Sequence, residues 1–381
     1  MIINADRNEL LAQVRKLSKA SAAPTHPVKV LSGILFEADA RAGIILMTAT
    51  NLEVSIRSIL PATVERDGRT VIDAKFLLQA LELLPDNDVY MELEDSGQFH
   101  ISSGQAKYQV TAIQARDYPK VDIPYPGGTV SVKGLKSLIS RSVFASAKHD
   151  SVNTMSNCVR LDFSEGGVRA AYSDGTCAVQ VVGDPECTGN LAILVPAASL
   201  RLFASLANDG DVYELGVTGT HGAVKNVVLS DGTMLFSARL LEGGYPDTDD
   251  IFNNISPVAT ASVDADKFRT ALDEVSTIAA PNSRIEVTFG ENGLVIRHSG
   301  ASGNVTATVD AKVTGTARGG FHFALKNIMG CTRLLRGDIT VGITKDRIIE
   351  INDSQTRFIQ LGLRPDTVVK PESGPPTRAA A

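Results

Sequence analysis

The runs GILF (33–36), VRLDF (159–163) and IEVTF (285–289) end on Phe36, Phe163 and Phe289, which lie 127 and 126 residues apart. Each is followed by a short turn and a second apolar run: GIILM (43–47), VRAAY (168–172) and LVIRH (294–298). Further out, Asp88-Val89-Tyr90 returns as Asp211-Val212-Tyr213 and again as Asp338-Ile339-Thr340. Each copy follows an apolar, helix-like segment: FLLQALELLP (76–85), LRLFASLAN (200–208) and IMGCTRLLRG (328–337). Tyr118-Pro119 returns as Tyr245-Pro246. A repeat of this length means that one folding unit has been copied and the copies are arranged about an axis. Function then belongs to the array and not to a single site.

The repeat divides 381 residues into three units of ordinary domain size. The expected boundaries are 1–124, 129–250 and 258–364, with DIPYPGG (122–128) and DDIFNNISPVA (249–259) as linkers. The stretch 365–381, PDTVVKPESGPPTRAAA, is too polar and proline-rich to bury a core and is read as a disordered tail. With 43% apolar and 21% charged residues, the composition is that of a soluble globular protein. There is no Trp and aromatics are few, which argues against base stacking as a binding device. The start, MIINADRNELL, lacks a basic segment followed by an apolar one, so no secretory signal is expected. No apolar run reaches the roughly 20 residues that span a bilayer. A cytoplasmic location is expected, with Cys158, Cys177, Cys187 and Cys331 as reduced, buried thiols. Their spacing does not fit a zinc site.

Apolar stripes at helical spacing predict helices over 6–19, 73–85, 133–148, 196–208, 264–279 and 324–336. Runs with the character of strands lie at 53–59, 88–94, 107–113, 190–196 and 347–353, punctuated by Asp174-Gly175, Asp231-Gly232 and Asn292-Gly293. Two helices and several antiparallel strands per unit make an α+β fold. The six helical segments carry 15 basic and 8 acidic side chains, a net of +7; the whole chain is −6, so the remainder is −13. If equivalent helices share a surface, that surface is positive and attracts phosphates without reading sequence.

Catalytic chemistry is absent from the pattern. There is no phosphate-binding loop or dinucleotide fingerprint, and the six histidines show no HxH or HxxxH spacing. Asp247, Asp249 and Asp250 resemble the opening of a cation loop but lack its Gly and distal Glu, so a solvated linker is expected there. No metal, cofactor or catalytic residue is expected.

The stretches VLSGILFEA (30–38), TATNLEV (48–54), AKFLLQALELLP (74–85), SSGQAKYQVTAIQARDYPKVD (102–122), SDGTCAVQVV (173–182), LVPAASL (194–200) and SARLLEGGYPD (237–247) form a collinear set. In that order and spacing the chain, over about 1–364, resembles the bacterial DNA polymerase III beta subunit, the sliding clamp. The resemblance implies a head-to-tail homodimer of six domains, with twelve helices lining a hole and sheets outside. It implies a processivity factor that encircles duplex DNA without reading sequence. Its implied partners are the polymerase III alpha subunit, the clamp loader and other proteins that carry a short apolar clamp-binding motif.

Carried over by resemblance, the dimer interface uses Tyr108 and Val110 on an edge strand, facing Thr277 and Ile278 after the first helix of unit three. The partner pocket uses Met155, then Ser173, Gly175, Thr176, Cys177 and Ala178, then Pro246 and Ile251, and finally Leu361, Gly362, Leu363 and Arg364. DNA-facing candidates are Lys75, Lys148, His149, Asn153, Thr154, Arg201, Arg333 and Arg336. The chain departs from the family at the pocket. Thr176-Cys177-Ala178 stands where His or Tyr, Arg and Leu are usual, and Leu361-Gly362-Leu363-Arg364 where Met-Pro-Met-Arg is usual. Smaller pocket walls, and altered or weaker client binding, are expected. The loop Ala22-Ala23-Pro24-Thr25-His26-Pro27 lacks the arginine often found before its proline. The residues alone leave a second reading open: a non-catalytic α+β repeat scaffold that binds proteins without encircling DNA.

Overall fold

Seven helices are present among the described residues: α1 (Arg7–Ser18), α2 (Ala74–Leu83), α3 (Leu135–Val143), α4 (Ala197–Ala204), α5 (Thr248–Asn253), α6 (Ala265–Ser276) and α7 (Leu325–Thr332). Six match the helices read from apolar spacing; positions 145–148 of the third lie outside the described residues. Asp6, Asp73 and Asp264 cap α1, α2 and α6 by accepting hydrogen bonds from the first free backbone N–H groups. The structure is a computed structural model that describes residues 1–144, 157–183, 186–219, 225–280 and 282–364.

The fifth helix corrects the sequence reading, which put a solvated linker over 249–259. Asp247 Oδ1 accepts from the N–H groups of Asp249 (2.9 Å) and Asp250 (3.3 Å), and Phe252 is 1% exposed. An N-cap plus one buried ring therefore makes a helix of this acidic stretch. Among the described residues no group of three or more His, Cys, Asp or Glu side chains is placed to hold a metal.

Each repeat runs strand, helix, five strands, helix, three strands. The fold is α+β with antiparallel sheets, as expected. In the first repeat the strands are Ile2–Asp6; Gly33–Asp39, Ile44–Thr50, Val54–Pro61, Thr63–Arg66 and Gly68–Asp73; and Asp88–Leu93, Gln98–Ser103 and Ala106–Thr111. Contacts gather the chain into two compact units that do not coincide with the repeats. Unit one holds Met1–Lys136, Phe163–Gly166 and Pro185–Glu242; unit two holds Ser137–Asp162, Gly167–Asp184 and the chain from Gly243. The reason is strand sharing. The second repeat gives some strands to each unit, where they pair with strands of the first or third repeat.

In unit one, a nine-stranded sheet takes five strands from the second repeat and four from the first. The join is antiparallel, with Met234 opposite Ser58, Phe236 opposite Ile56 and Ala238 opposite Val54. The remaining strands of the first repeat form a five-stranded sheet that ends on Ala106–Thr111. In unit two, Cys177–Gly183 of the second repeat joins Thr356–Leu361 of the third, with Ala178 opposite Ile359 and Gln180 opposite Arg357. The other strands of the third repeat form a four-stranded sheet that ends on Gly303–Asp310.

The helices cover these sheets in the same shared manner. In unit one, Arg7 of α1 donates to the carbonyls of Leu81 (2.8 Å) and Glu82 (3.1 Å) in α2, where the helix dipole favours a cation. Lys19 Nζ, at the end of α1, donates to the Ser205 carbonyl at the end of α4, 3.2 Å away. In unit two, Arg269 of α6 donates to the carbonyls of Thr332 (3.2 Å) and Leu335 (3.3 Å) at the end of α7. The Phe144 ring after α3 closes on Gly330 of α7, where an added Cβ would lie 3.0 Å from it.

Two of the echoes that revealed the repeat have distinct structural meanings. The Asp-Val-Tyr copies are out of register by one residue. Asp88 and Asp338 lie opposite the capping Asp6 and Asp264, but Val212 is the residue that lies opposite Lys133. Val89 is therefore buried while Val212 is 52% exposed, and Tyr213 takes the inward position. A slip of one residue turns a strand's side chains to the other face. The Tyr-Pro corners do share a job. Tyr118 Oη donates to the Thr48 carbonyl at 3.3 Å. Tyr245 Oη accepts from the Ser173 N–H at 3.0 Å and lies 3.1 Å and 3.3 Å from the carbonyls of Cys158 and Ala171. Removing Tyr245 Oη strands a buried backbone donor, so Tyr245→Phe is expected to cost about 1–3 kcal/mol and Tyr118→Phe about 0.5–1.5 kcal/mol. Urea unfolding of the two variants should show that order.

Candidate functional site

The predicted partner pocket lies within unit two and is built on one face of the joined strands. Strand alternation puts Ser173, Ala178 and Ile359 on that face, because Ser173 pairs with Ala178 and Ala178 with Ile359. Ala178, Ile359 and Phe252 of α5 form a buried cluster, with Ile251, Ile255 and Ile348 packed around it half-buried. Phe252 covers the small Ala178, so this small side chain leaves no hole. Leu361 continues the apolar ground at 45% exposure. Pro246 is exposed beside the anchored Tyr245.

The turn 173–178 is held by the Asp174 side chain. Asp174 Oδ1 accepts from the N–H groups of Thr176 and Cys177, both at 2.8 Å, and Gly175 takes a φ of +83° that suits glycine. The Thr176 carbonyl then receives the Leu361 N–H at 2.9 Å. Gly362 and Leu363 are fixed by donating to the carbonyls of Arg347 (2.8 Å) and His322 (2.7 Å). A Cβ on Gly362 would lie 2.5 Å from the Arg347 oxygen, so this close passage requires glycine. Arg364 is exposed. Met155 lies outside the described residues, as do Lys148, His149, Asn153 and Thr154.

Cys177 departs from the expected set. Its strand position turns the side chain to the opposite face, where it is 3% exposed. Burial, with the Asp174 carboxylate 3.5 Å from its sulfur, pushes the thiol far above its ordinary value of 9.0. Cys331 is fully buried and shifts in the same direction, and burial pushes Cys158 up to about 11.

The expected interface residues sit at two sheet edges. Tyr108 and Val110 are half-buried on the edge strand Ala106–Thr111, and Tyr108 packs edge-on to Phe76 of α2 with ring centres 6.2 Å apart. Thr277 caps the end of α6, and Ile278 comes directly after it. An added Cβ on Gly303, at the start of the other edge strand, would lie 3.8 Å from Ile278. So Ile278 borders the edge of unit two as Tyr108 borders that of unit one.

Of the DNA candidates, Lys75 and Arg333 are exposed on α2 and at the end of α7, and Arg201 is half-buried on α4. Arg336 is exposed and donates to the carbonyls of Arg333 (2.9 Å) and Leu335 (2.8 Å). Several basic helix residues serve the fold instead. Arg15 pairs with Glu82 at 3.0 Å, and Arg141 is drawn in to Asp353 (3.3 Å) and Thr356 (3.1 Å). The helix charge counted from sequence therefore overstates the charge available to a ligand.

Residues 1–122 match the family described as DNA polymerase III beta subunit, N-terminal domain. The beta sliding clamp of Synechocystis sp. is 27% identical over 316 residues, covering 74% of this chain and 76% of that protein. The beta sliding clamp of Streptomyces coelicolor is 25% identical over 326 residues, covering 83% and 84%. Over most of its length the chain is similar to beta sliding clamps, and its first 122 residues match the N-terminal domain of the DNA polymerase III beta subunit. Its fold agrees with that of the Bacillus subtilis DNA polymerase sliding clamp, with a TM-score of 0.85 at 22% identity over 96% of this chain and 99% of the other. At 176–178 and 361–364 the side chains are small or apolar apart from Thr176 and Arg364, and the backbone is held by bonds to Asp174, Arg347 and His322.

Cys177 provides a check on which face forms the pocket. At neutral pH its alkylation, followed by mass spectrometry, should be as slow as that of Cys331 until the protein is unfolded. Rapid labelling of Cys177 in the folded protein would place it in the pocket. Both thiols hold their protons more tightly when folded, so stability should fall as pH rises past about 9, where the unfolded thiols ionise first.

Proposed function

We propose that two copies of this chain join head to tail into a closed ring, which encircles duplex DNA and holds the replicative polymerase on it. The observation that carries this reading is the mismatch of sheet sizes. The join inside unit one builds a nine-stranded sheet from five strands of one repeat and four of another. The first repeat keeps a five-stranded sheet and the third a four-stranded one, each ending on a strand with no outer neighbour among the described residues. Pairing Ala106–Thr111 of one protomer with Gly303–Asp310 of its partner would complete a nine-stranded sheet of the same make-up. Both edges alternate in the same way. Lys107, Gln109 and Thr111 face water on one, and Asn304, Thr306 and Thr308 on the other. An unpaired edge is a template for another strand. The two edges are different surfaces, so the contact is heterologous, and it closes only if the rotations sum to a full turn.

In this reading the repeats 1–124, 129–250 and 258–364 are the ring's domains, and 365–381 is a tail. Exposed cations on the helices, Lys75 and Arg333 among them, meet phosphates without reading sequence. The apolar pocket on unit two receives short motifs of the polymerase III alpha subunit, the clamp loader and other clients. The role is non-catalytic and cytoplasmic; no helix among the described residues is long and apolar enough to cross a membrane.

Light scattering tests the joint. The parent chain should weigh twice 40.4 kDa at micromolar concentration. Ile278→Asp, which puts a charge beside the Gly303 edge, should give a folded monomer. A dimer that survives this change would remove Ile278 from the interface, and a monomeric parent would remove the ring. Lys75→Ala and Arg333→Ala should each flatten the salt dependence of DNA association by about 0.9 in log–log slope, the value for one phosphate contact.

A further inference from the structure

The pocket's outer wall is a helix of six residues, too short to persist without tertiary support. Two polar clasps hold it on the sheet. At its first turn, the Asp249 carboxylate accepts from Arg169 Nη1 at 2.8 and 2.6 Å and from Gln180 Nε2 at 2.7 Å. Arg169 and Gln180 stand on neighbouring strands and share one face, since Gln180 pairs with Ala171, two residues from Arg169. At its other end, Arg357 Nη2 donates to the Phe252 carbonyl at 3.2 Å, and the guanidinium lies 5.1 Å from the Phe252 ring centre. The same guanidinium holds Glu350 Oε1 at 3.0 and 2.7 Å, and Glu350 is 5% exposed. Between the clasps, Phe252 enters the cluster with Ala178 and Ile359.

We infer that Asp249, with Arg169 and Gln180, and Arg357, with Glu350, are positioning residues for peptide capture. They fix α5 on the sheet and so set the wall that Ile251 and Ile255 present to an apolar peptide. The inference rests on the pocket reading proposed above. It also gives the acidic stretch 247–250 a use. Asp247 starts the helix, and Asp249 ties it down through an arginine of the second repeat. Arg169, Gln180, Arg357 and Glu350 belong to the sheet beneath the helix and act on the peptide only through α5.

The Arg169–Asp249 clasp gives the cleaner test, because its side chains are about half exposed (44% and 51%) and its loss should leave the fold intact. Removing Arg357 instead would strand the buried Glu350 carboxylate and disturb folding. A fluorescein-labelled synthetic peptide carrying the short apolar clamp-binding motif is titrated against the full-length parent, Arg169→Ala, Asp249→Asn and the charge swap Arg169→Asp with Asp249→Arg. Arg160→Ala is the control, since Arg160 pairs with Asp162 of its own strand at 2.9 Å on the same sheet. The single variants should bind the peptide about three- to fivefold more weakly than the control. The swap should recover most of that loss, with thermal midpoints and dimer mass unchanged throughout. Recovery by the swap distinguishes positioning from a general loss of stability. Peptide affinities of both single variants equal to that of Arg160→Ala would overturn the inference alone. A parent chain that binds no peptide would overturn the pocket reading and this inference together.

Discussion

Everything in this chain depends on antiparallel main-chain pairing between neighbouring repeats. Met234–Arg239 against Val54–Pro61, and Cys177–Gly183 against Thr356–Leu361, are ordinary β-ladders. They decide which strands belong to which unit, and they bring α1 beside α4 and α3 beside α7. Such ladders need only backbone groups and a matching face. They can therefore persist while side chains change, as the low identity to relatives with the same fold illustrates. The same dependence leaves Ala106–Thr111 and Gly303–Asp310 among the outer strands of their sheets. The proposed ring gives those edges the kind of partner that the interior edges already have.

Much of this could be read from the sequence. The copied phenylalanine-ended runs and Tyr-Pro corners revealed the repeat, because turns and buried rings hold their spacing when a unit is duplicated. Helices were readable because their apolar stripes and Asp caps are local signals. Strand sharing was not, since nothing local in Met234–Arg239 names Val54–Pro61 as its neighbour. The Asp-Val-Tyr echo misled by one position; identical letters can face opposite sides when the flanking turn changes length. The linker α5 was missed because three aspartates near its start read as solvated charge, while one cap and one buried phenylalanine outweigh them.

The site was legible in parts. Ser173, Gly175, Ala178, Ile251 and Leu361 come together on one unit, although they are scattered over almost 190 residues of sequence. The resemblance puts Cys177 in the pocket, but alternation along the strand turns it inward. The charge count from sequence was too large, because several of the helix cations are bound within the fold. Arg7, Arg141 and Arg269 neutralise helix ends or a buried carboxylate, and such uses depend on tertiary neighbours that composition does not reveal. Asp249, Arg169 and Arg357 gave no signal at all, being common surface residues whose roles appear only once α5 lies on its sheet.

Topological tethering is the central claim, and retention on DNA of different topology tests it most directly. After loading onto nicked circular duplex, the protein should stay bound through gel filtration at a salt concentration that disrupts phosphate contacts. Cutting the same circle once should release it. Equal loss from circle and linear DNA would contradict the closed ring, whatever the affinity measured.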